Sequence, residues 1–414
     1  MVRNVYLCQT VQSRVMLYFI LRPFARLGFR LYFRKIYLHT QAPIPADGPV
    51  MLAVNHPSSF MEACVLACFL PRSLYFLVRG DVFVNPFVNF LLNSTHQIPI
   101  YRFRDGFSSL RNNHATFAQV YRWLGEGKAV TVFAEGTTRL EKKLRPIQKG
   151  LARMVFGAME VENIQDIPIV PIGVNFVEAG RWRSEVMIEV GPAISARSFL
   201  EADDAENKRG VRKLTQTVEE AMQPLVLHVN KDEDEPLFNQ LCQLDRPENF
   251  WHVLPNVSTR NDAYQCERSW ASRINNMDEP TKSQLNQALA SLNTPAMQPK
   301  RSLWYWMTWP GSLIHRIPLA LAYRITRSKA KPGPFYAPVL WGSGTFISLI
   351  FWIILAPFGF WAFGWWFILI FAALGVLGVL HIWAIDGDRI RNEKKRISQF
   401  TAQTKSLLQI PAVP

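Results

Sequence analysis

The residues best suited to chemistry in this chain are His56 and Glu62, six positions apart in Val54-Asn55-His56-Pro57-Ser58-Ser59-Phe60-Met61-Glu62. A neutral imidazole titrates near ordinary operating pH, so it can take a proton from an attacking hydroxyl. A carboxylate on its other ring nitrogen fixes the tautomer and stabilises the imidazolium that forms. Alone, the two residues fit a capping or surface role equally well. A second segment adds weight: Val130-Thr131-Val132-Phe133-Ala134-Glu135-Gly136-Thr137-Thr138-Arg139. The basic stretch Lys142-Lys143-Leu144-Arg145-Pro146-Ile147-Gln148-Lys149-Gly150 follows it. Together these segments read as a base, its orienting acid, and a cationic pocket for an anionic substrate.

Something must hold these residues in one place. Apolar runs of strand length recur at Val50–Val54, Ser73–Val78, Ala129–Phe133, Ile169–Val174 and Glu185–Val190. Helical stretches such as Ser109–Leu124 separate them, and Ala205–Val229 reads as an amphipathic helix closing the region. Short buried strands alternating with helices predict an α/β domain with a largely parallel sheet over residues 41–230. His56 then follows a strand end, with Pro57 as the first residue of a helix. Such a turn presents a side chain at the edge of a sheet.

The flanks are different. Residues 1–40 hold seven Arg or Lys and no acid, and Arg22, Arg26, Arg30 and Arg34 recur every fourth position. That pattern predicts a basic amphipathic helix docked on a membrane surface, with a helix packed on the protein core as the competing reading. Residues 231–331 read as a polar, partly helical connector without chemistry of its own. From Pro332 to Ile385 there is no Asp, Glu, Lys or Arg. A bilayer span needs about 20 residues, so the stretch divides into Val339–Ala356 and Trp361–Ile385, a transmembrane hairpin turning at Pro357-Phe358-Gly359. Basic residues on both sides (Arg324, Arg327, Lys329 and Lys331 before, Arg389 to Arg396 after) place both ends, including the basic tail 386–414, in the cytoplasm.

Composition narrows the function class. The chain has 414 residues, a net charge of +14 and a pI near 9.7, which calls for an anionic partner. A lipid bilayer meets that need without nucleic acid. Five cysteines with no Cys-x-x-Cys pair give no disulfide framework, and Cys64 and Cys68 read as packed thiols. Gly125-Glu126-Gly127-Lys128-Ala129 lacks the first Gly and the final Ser/Thr of a P-loop. No Gly-x-Ser-x-Gly elbow occurs, and His56 has no second histidine at metal-ligand spacing.

In this order and spacing the segments resemble the glycerol-phosphate acyltransferase superfamily, the PlsC-like enzymes that acylate glycerophosphates. Most of that superfamily places four residues between the first-motif His and an Asp. One branch, which includes fungal-type glycerol-3-phosphate acyltransferases and bacterial relatives, places five, typically as Asn-His-Pro-Asn-Ser-Phe-x-Asp. This chain is similar to that branch, with Ser58 for Asn and Glu62 for Asp. Phe133-Ala134-Glu135-Gly136-Thr137-Thr138-Arg139 resembles the family's Phe-Pro-Glu-Gly-Thr-Arg, with Ala134 for Pro and the Arg one position late. Leu144 to Arg153 resembles the branch's Leu-Arg-Pro-Leu-Lys-x-Gly-x-Ala-Arg, and Ile169 to Phe176 its strand near the acyl chain.

The resemblance implies a membrane-bound O-acyltransferase of phospholipid synthesis with its catalytic domain on the cytoplasmic face. His56 is then the base and Glu62 its orienting acid. Arg79, Arg102, Arg139, Arg145 and Lys149 hold the acceptor phosphate. Glu135, Gly136 and Thr137 organise the site. No metal or bound cofactor is called for, because acyl-CoA or acyl carrier protein enters as co-substrate and a glycerophosphate as acceptor. The competing reading, a catalytically degenerate membrane lipid-binding or scaffold protein, rests on Glu62 and Ala134.

Overall fold

A computed structural model describes residues 2–101, 113–200, 208–245, 256–292, 301–330 and 333–404. Contacts divide the chain into two compact units. The first comprises Met1–Arg30, Tyr37–Phe176 and Val186–Leu227; the second comprises Leu31–Ile36, Val177–Glu185 and His228–Pro414.

Helix α1 (Val2–Tyr32) leads into β1 (Lys35–Thr40), β2 (Val50–Val54), α2 (Met61–Phe69) and β3 (Leu74–Arg79). Then come α3 (Pro86–Ser94), β4 (Gln97–Ile100), α4 (Asn113–Gly125), β5 (Ala129–Phe133) and α5 (Gly150–Val161). Strands β6 (Pro168–Phe176), β7 (Glu185–Val190) and β8 (Ile194–Ser195) and helix α6 (Lys208–Met222) follow. The sheet runs β4-β3-β5-β2-β6-β7-β1, with β8 on β6. Its centre is parallel: β2 pairs with β5 and β6, and β3 with β4 and β5. Strand β6 pairs antiparallel with β7 and β8. The fold is therefore mixed α/β with a mostly parallel central sheet. Every residue of β2 is buried, as expected of a strand covered on both faces.

Two expectations for the N-terminal region change. Lys35–Thr40 is a strand, not the end of a helix; Ile36 and Tyr37 are buried. Two arginines of α1, Arg22 and Arg26, also turn inward, while Arg30 stays exposed. Arg22 donates to the Leu70 carbonyl at 2.6 Å, and Arg26 donates to the Cys68 carbonyl at 2.9 Å and 2.5 Å. These carbonyls end α2, whose last C=O groups lack intrahelical partners and carry partial negative charge. The outer face of α1 is instead apolar, with Phe19, Ile20, Phe24 and Leu27 exposed.

The second unit is mostly helical. Helix α7 (Glu235–Asp245), β9 (Val257–Ser258), α8 (Asp262–Asn275) and α9 (Glu279–Leu292) precede α10 (Leu303–Lys329), α11 (Tyr336–Phe363) and α12 (Trp366–Thr404). The connector expected to be polar therefore ends in a long helix rich in Trp and Leu. Helices α11 and α12 are long and apolar enough to cross a membrane, and only 6% and 11% of their apolar windows are buried. A core helix of a soluble domain would be mostly covered. The hairpin turns at Gly364, not at Pro357. Pro357 lies inside α11, where its missing N–H interrupts one bond without ending the helix. Gly364 has φ +54°, a conformation that favours glycine.

The polar end of α12 is tied down within its own unit. Arg183 Nε donates to Asp386 Oδ2 at 3.0 Å, and Arg183 Nη1 donates to the Phe33 carbonyl at 2.7 Å. Both side chains are 6% exposed. Ser302 N–H donates to Asp388 Oδ2 at 3.0 Å, so α10 begins beside the same turn of α12.

Candidate active site

Parallel pairing brings two strand ends together. Val54 of β2 sits opposite Phe133 of β5, so residues just beyond each strand share the carboxyl edge of the sheet, the usual place for ligands in open α/β folds. His56 and Glu135 each lie two residues past a strand end. Sequence distance between them is large, but the register makes them neighbours.

His56 is held from four sides. Its Nδ1 lies 2.5 Å from Glu62 Oε1. Its backbone N–H donates to Glu135 Oε2 at 2.9 Å. Its carbonyl accepts from the Arg139 N–H at 3.4 Å. Its ring stacks on Phe133 with centroids 4.2 Å apart. The His56 side chain is 16% exposed and Glu62 fully buried. With Nδ1 engaged by the carboxylate, Nε2 is the nitrogen suited to exchange a proton with a ligand.

The path from His56 to Glu62 differs from the expected helix start at Pro57. Ser59 has φ +52°, which no helix tolerates, and α2 begins only at Met61. The turn places Glu62 in the first turn of α2, where the helix dipole favours a carboxylate. Glu62 Oε1 also accepts the Ser58 N–H at 3.2 Å. The extra methylene of Glu over Asp is thus taken up, and the carboxylate reaches the imidazole. Its Oε2 is buried without a hydrogen-bond partner among the described residues.

Glu135 organises the second loop. Oε2 accepts from His56 N–H and from Arg145 Nη2 at 2.5 Å; Oε1 accepts from the Arg145 backbone N–H at 2.9 Å. Arg145 also donates from Nη1 to Thr137 Oγ1 at 2.6 Å and from Nη2 to the Thr137 carbonyl. Gly136 has φ +69°, and a Cβ there would meet Gln148 Cγ at 3.1 Å, so glycine suits both the turn and the close approach. Arg145, grouped by sequence with the phosphate contacts, directs its guanidinium to this loop and clamps Glu135 against His56.

The other cations are more open. Arg139 pairs with Glu141 at 3.1 Å while its side chain stays 68% exposed. Lys149 is exposed at the start of α5. Arg79, at the end of β3, pairs with Asp81. Arg102 lies outside the described residues.

Two supports escaped the sequence reading. Asn55 donates to the Val174 carbonyl at 3.0 Å and accepts the Val174 N–H at 2.7 Å. This side chain continues the β2–β6 ladder one step beyond β2 and fixes the turn that carries His56. Phe133 supplies the aromatic floor. The signal for Asn55 was its place between a strand and the histidine; nothing in the sequence marked Phe133 as a ring partner. Burial also pushes the Cys64 and Cys68 thiols up to about 12, which keeps them protonated and inert.

Residues 35–175, about a third of the chain, match a protein-family model described as Acyltransferase. The chain is 25% identical over 114 residues to glycerol-3-phosphate O-acyltransferase 1 of Saccharomyces cerevisiae, covering 27% of this chain and 15% of that protein. It is 22% identical over 147 residues to 1-acyl-sn-glycerol-3-phosphate acyltransferase of Bacillus subtilis, covering 35% of this chain and 65% of that protein. The matched stretches therefore span less than two thirds of either relative. A solved 1-acyl-sn-glycerophosphate (LPA) acyltransferase, PlsC, from Thermotoga maritima is 16% identical, with a TM-score of 0.34 over 52% of this chain and 87% of that one; the fold described above rests on this chain's own strands. With the family match falling on the segment that carries His56, Glu62, Glu135 and Arg145, residues 35–175 are an acyltransferase-family domain.

Proposed function

We propose that this chain is a membrane-bound O-acyltransferase. It moves a fatty acyl group from acyl-CoA or acyl carrier protein to a hydroxyl of glycerol 3-phosphate or 1-acylglycerol 3-phosphate. The observation that carries the reading is the 2.5 Å contact between His56 Nδ1 and Glu62, at the carboxyl edge of a parallel sheet. It also weighs against a degenerate scaffold, because the substituted acid still reaches its base. The names of the yeast and Bacillus relatives supply the two acceptors.

His56 Nε2 takes the acceptor hydroxyl's proton as the oxygen attacks the thioester carbonyl carbon. The tetrahedral adduct collapses, the C–S bond breaks, and the imidazolium returns the proton to the departing thiolate. Glu62 holds the tautomer and stabilises the imidazolium. In this reading Arg79, Arg102, Arg139 and Lys149 bind the acceptor phosphate, and Glu135 with Arg145 holds the loop in register. The catalytic domain works at the cytoplasmic face, the side to which the basic flanks of the hairpin assign it.

The test is thioester consumption by the purified full-length protein, with each donor and acceptor offered in turn. Turnover should require a glycerophosphate. His56→Ala should lower it on the order of 10²-fold or more, the scale of a general base, with the acceptor KM little changed. Near-normal turnover by a folded His56→Ala protein would sink the assignment.

A further inference from the structure

Helix α10 buries one narrow stripe: Thr308, Gly311, Pro318, Ala322 and Thr326. These positions recur every three to four residues, or multiples of that, and so lie on one face. Most of their side chains are small. The large apolar side chains lie outside, with Trp304 64%, Met307 59%, Ile317 63% and Leu321 49% exposed. A helix folded in water does the reverse, because burying the larger apolar surface contributes more.

The inner stripe packs against the two helices that can cross a membrane. A Cβ on Gly311 would stand 2.5 Å from the Gly378 nitrogen and the Leu377 carbonyl carbon of α12, so the two backbones are in close approach. Thr308 Oγ1 lies 3.2 Å from His381 Nδ1 of α12, and Thr326 Oγ1 lies 3.2 Å from Ser343 Oγ of α11. Close backbones at small residues and hydroxyl hydrogen bonds between helices are how helices associate where the surroundings are as apolar as leucine.

From these observations we infer that α10 is a third membrane-embedded helix, its outer face in contact with lipid acyl chains. That face continues the exposed apolar surfaces of α11 and α12, to which α10 is packed. Arg316, midway along, fits this setting: its guanidinium carbon lies 5.1 Å from the Trp309 ring centroid, drawn back two turns toward the helix start as long cationic side chains are when their stems are in lipid. The basic end Arg324, Arg327 and Lys329 closes the helix at its other extremity. The sequence reading passed over α10 because His315 and Arg316 interrupt the uncharged run by which spans are recognised.

The test uses the full-length protein in phosphatidylcholine–phosphatidylglycerol vesicles. A diazirine-bearing residue replaces Met307, Ile317 or Leu321, one at a time; Ile353 of α11 and Gln216 of α6 serve as references. After irradiation, mass spectrometry sorts the adducts into lipid, water and protein. The ratio of lipid to water adducts at the three α10 positions should match that at Ile353 and be the inverse of that at Gln216. Predominantly water adducts would overturn the inference. So would crosslinks to a second copy of the chain at these positions, which would make the face a protein interface. Three separate positions guard against one substitution that disturbs folding, and the readout is independent of whether the acyltransferase reading holds.

Discussion

Around His56 buried charged groups are engaged by neighbours: Glu62, Glu135 and Arg145 each accept or donate a hydrogen bond, with Glu62 Oε2 left over. Along α10 the buried atoms belong to small residues and the large apolar side chains are outside. Both patterns obey one rule, that a group is left facing whatever solvates it best. In the sheet region apolar strands go inside, and the charged groups that go inside are held by hydrogen bonds or counter-charges. In the C-terminal helices the outer surface is apolar, so nothing drives large apolar side chains inward. Helix α1 combines the two, with Arg22 and Arg26 bonded inward and Phe19 and Phe24 outward. Charge counted along a sequence therefore misreports which face of a helix is turned outward.

The strongest break of this comparison is at the polar cluster. Arg145→Met leaves the Glu135 carboxylate buried with its two backbone N–H donors but without its counter-charge, which costs up to about 3–5 kcal/mol. A thermal melt should show the loss, and kcat should fall with it as the loop releases the His56 peptide. A selective rise in acceptor KM at full stability would return Arg145 to the phosphate contacts.

Next in size is the open rim. Removing Arg139 or Lys149 should raise the acceptor KM by roughly 10- to 100-fold, the worth of a charge-assisted hydrogen bond. The thioester KM should barely move. Arg139→Lys should stay impaired, because an ammonium lacks the planar fork. A rise confined to the donor KM would assign these cations to the phosphates of CoA.

A pH-dependent effect sharpens the contrast between buried and solvated groups. His96 is stacked between Tyr18 and Tyr75, with centroids 4.5 Å and 4.2 Å away. Burial lowers its pKa from the ordinary 6.5 to about 4. The folded state therefore disfavours the charged ring. The stability this contributes is complete above pH 6.5, declines as pH falls from there, and levels off below about pH 4. The slope is at most about 1.4 kcal/mol per pH unit. Melting temperatures across that window should show it, and His96→Asn, which tolerates the positive φ here, should flatten it. An unchanged slope would assign the loss to other groups.

The least effect is expected in α1. Arg22→Gln and Arg26→Gln should each lower stability by about 0.5–1 kcal/mol, the worth of a cation at a helix C-terminus. Membrane partition and its salt dependence should not change, since these arginines face protein. Salt-sensitive release that disappears with the arginines would restore the charge-driven docking expected from sequence.

The strands were legible because each is a short apolar run bounded by turns; β2, β5 and β7 match the predicted limits residue for residue. The His56 and Glu135 loops were legible because each follows such a run. Strand β1 was missed because six residues of mixed pattern follow a long helical stretch without a break. The hairpin turn was misplaced because proline is a weaker breaker inside an apolar helix than glycine at positive φ. The role of Arg145 was not legible, since a basic residue near a loop reads alike whether it meets a ligand or a carboxylate.

The residue types and their order determined the class of site: a base, an acid and cations carried on loops after apolar strands. That much is local, because strand pairing in a parallel sheet aligns carboxyl ends whatever lies between them. Only the tertiary structure decided which charges are committed and which remain open, and which faces of α1 and α10 turn outward. Those outcomes depend on contacts between segments tens to hundreds of residues apart, where hydrogen-bond geometry and close packing select among partners that a sequence leaves equivalent.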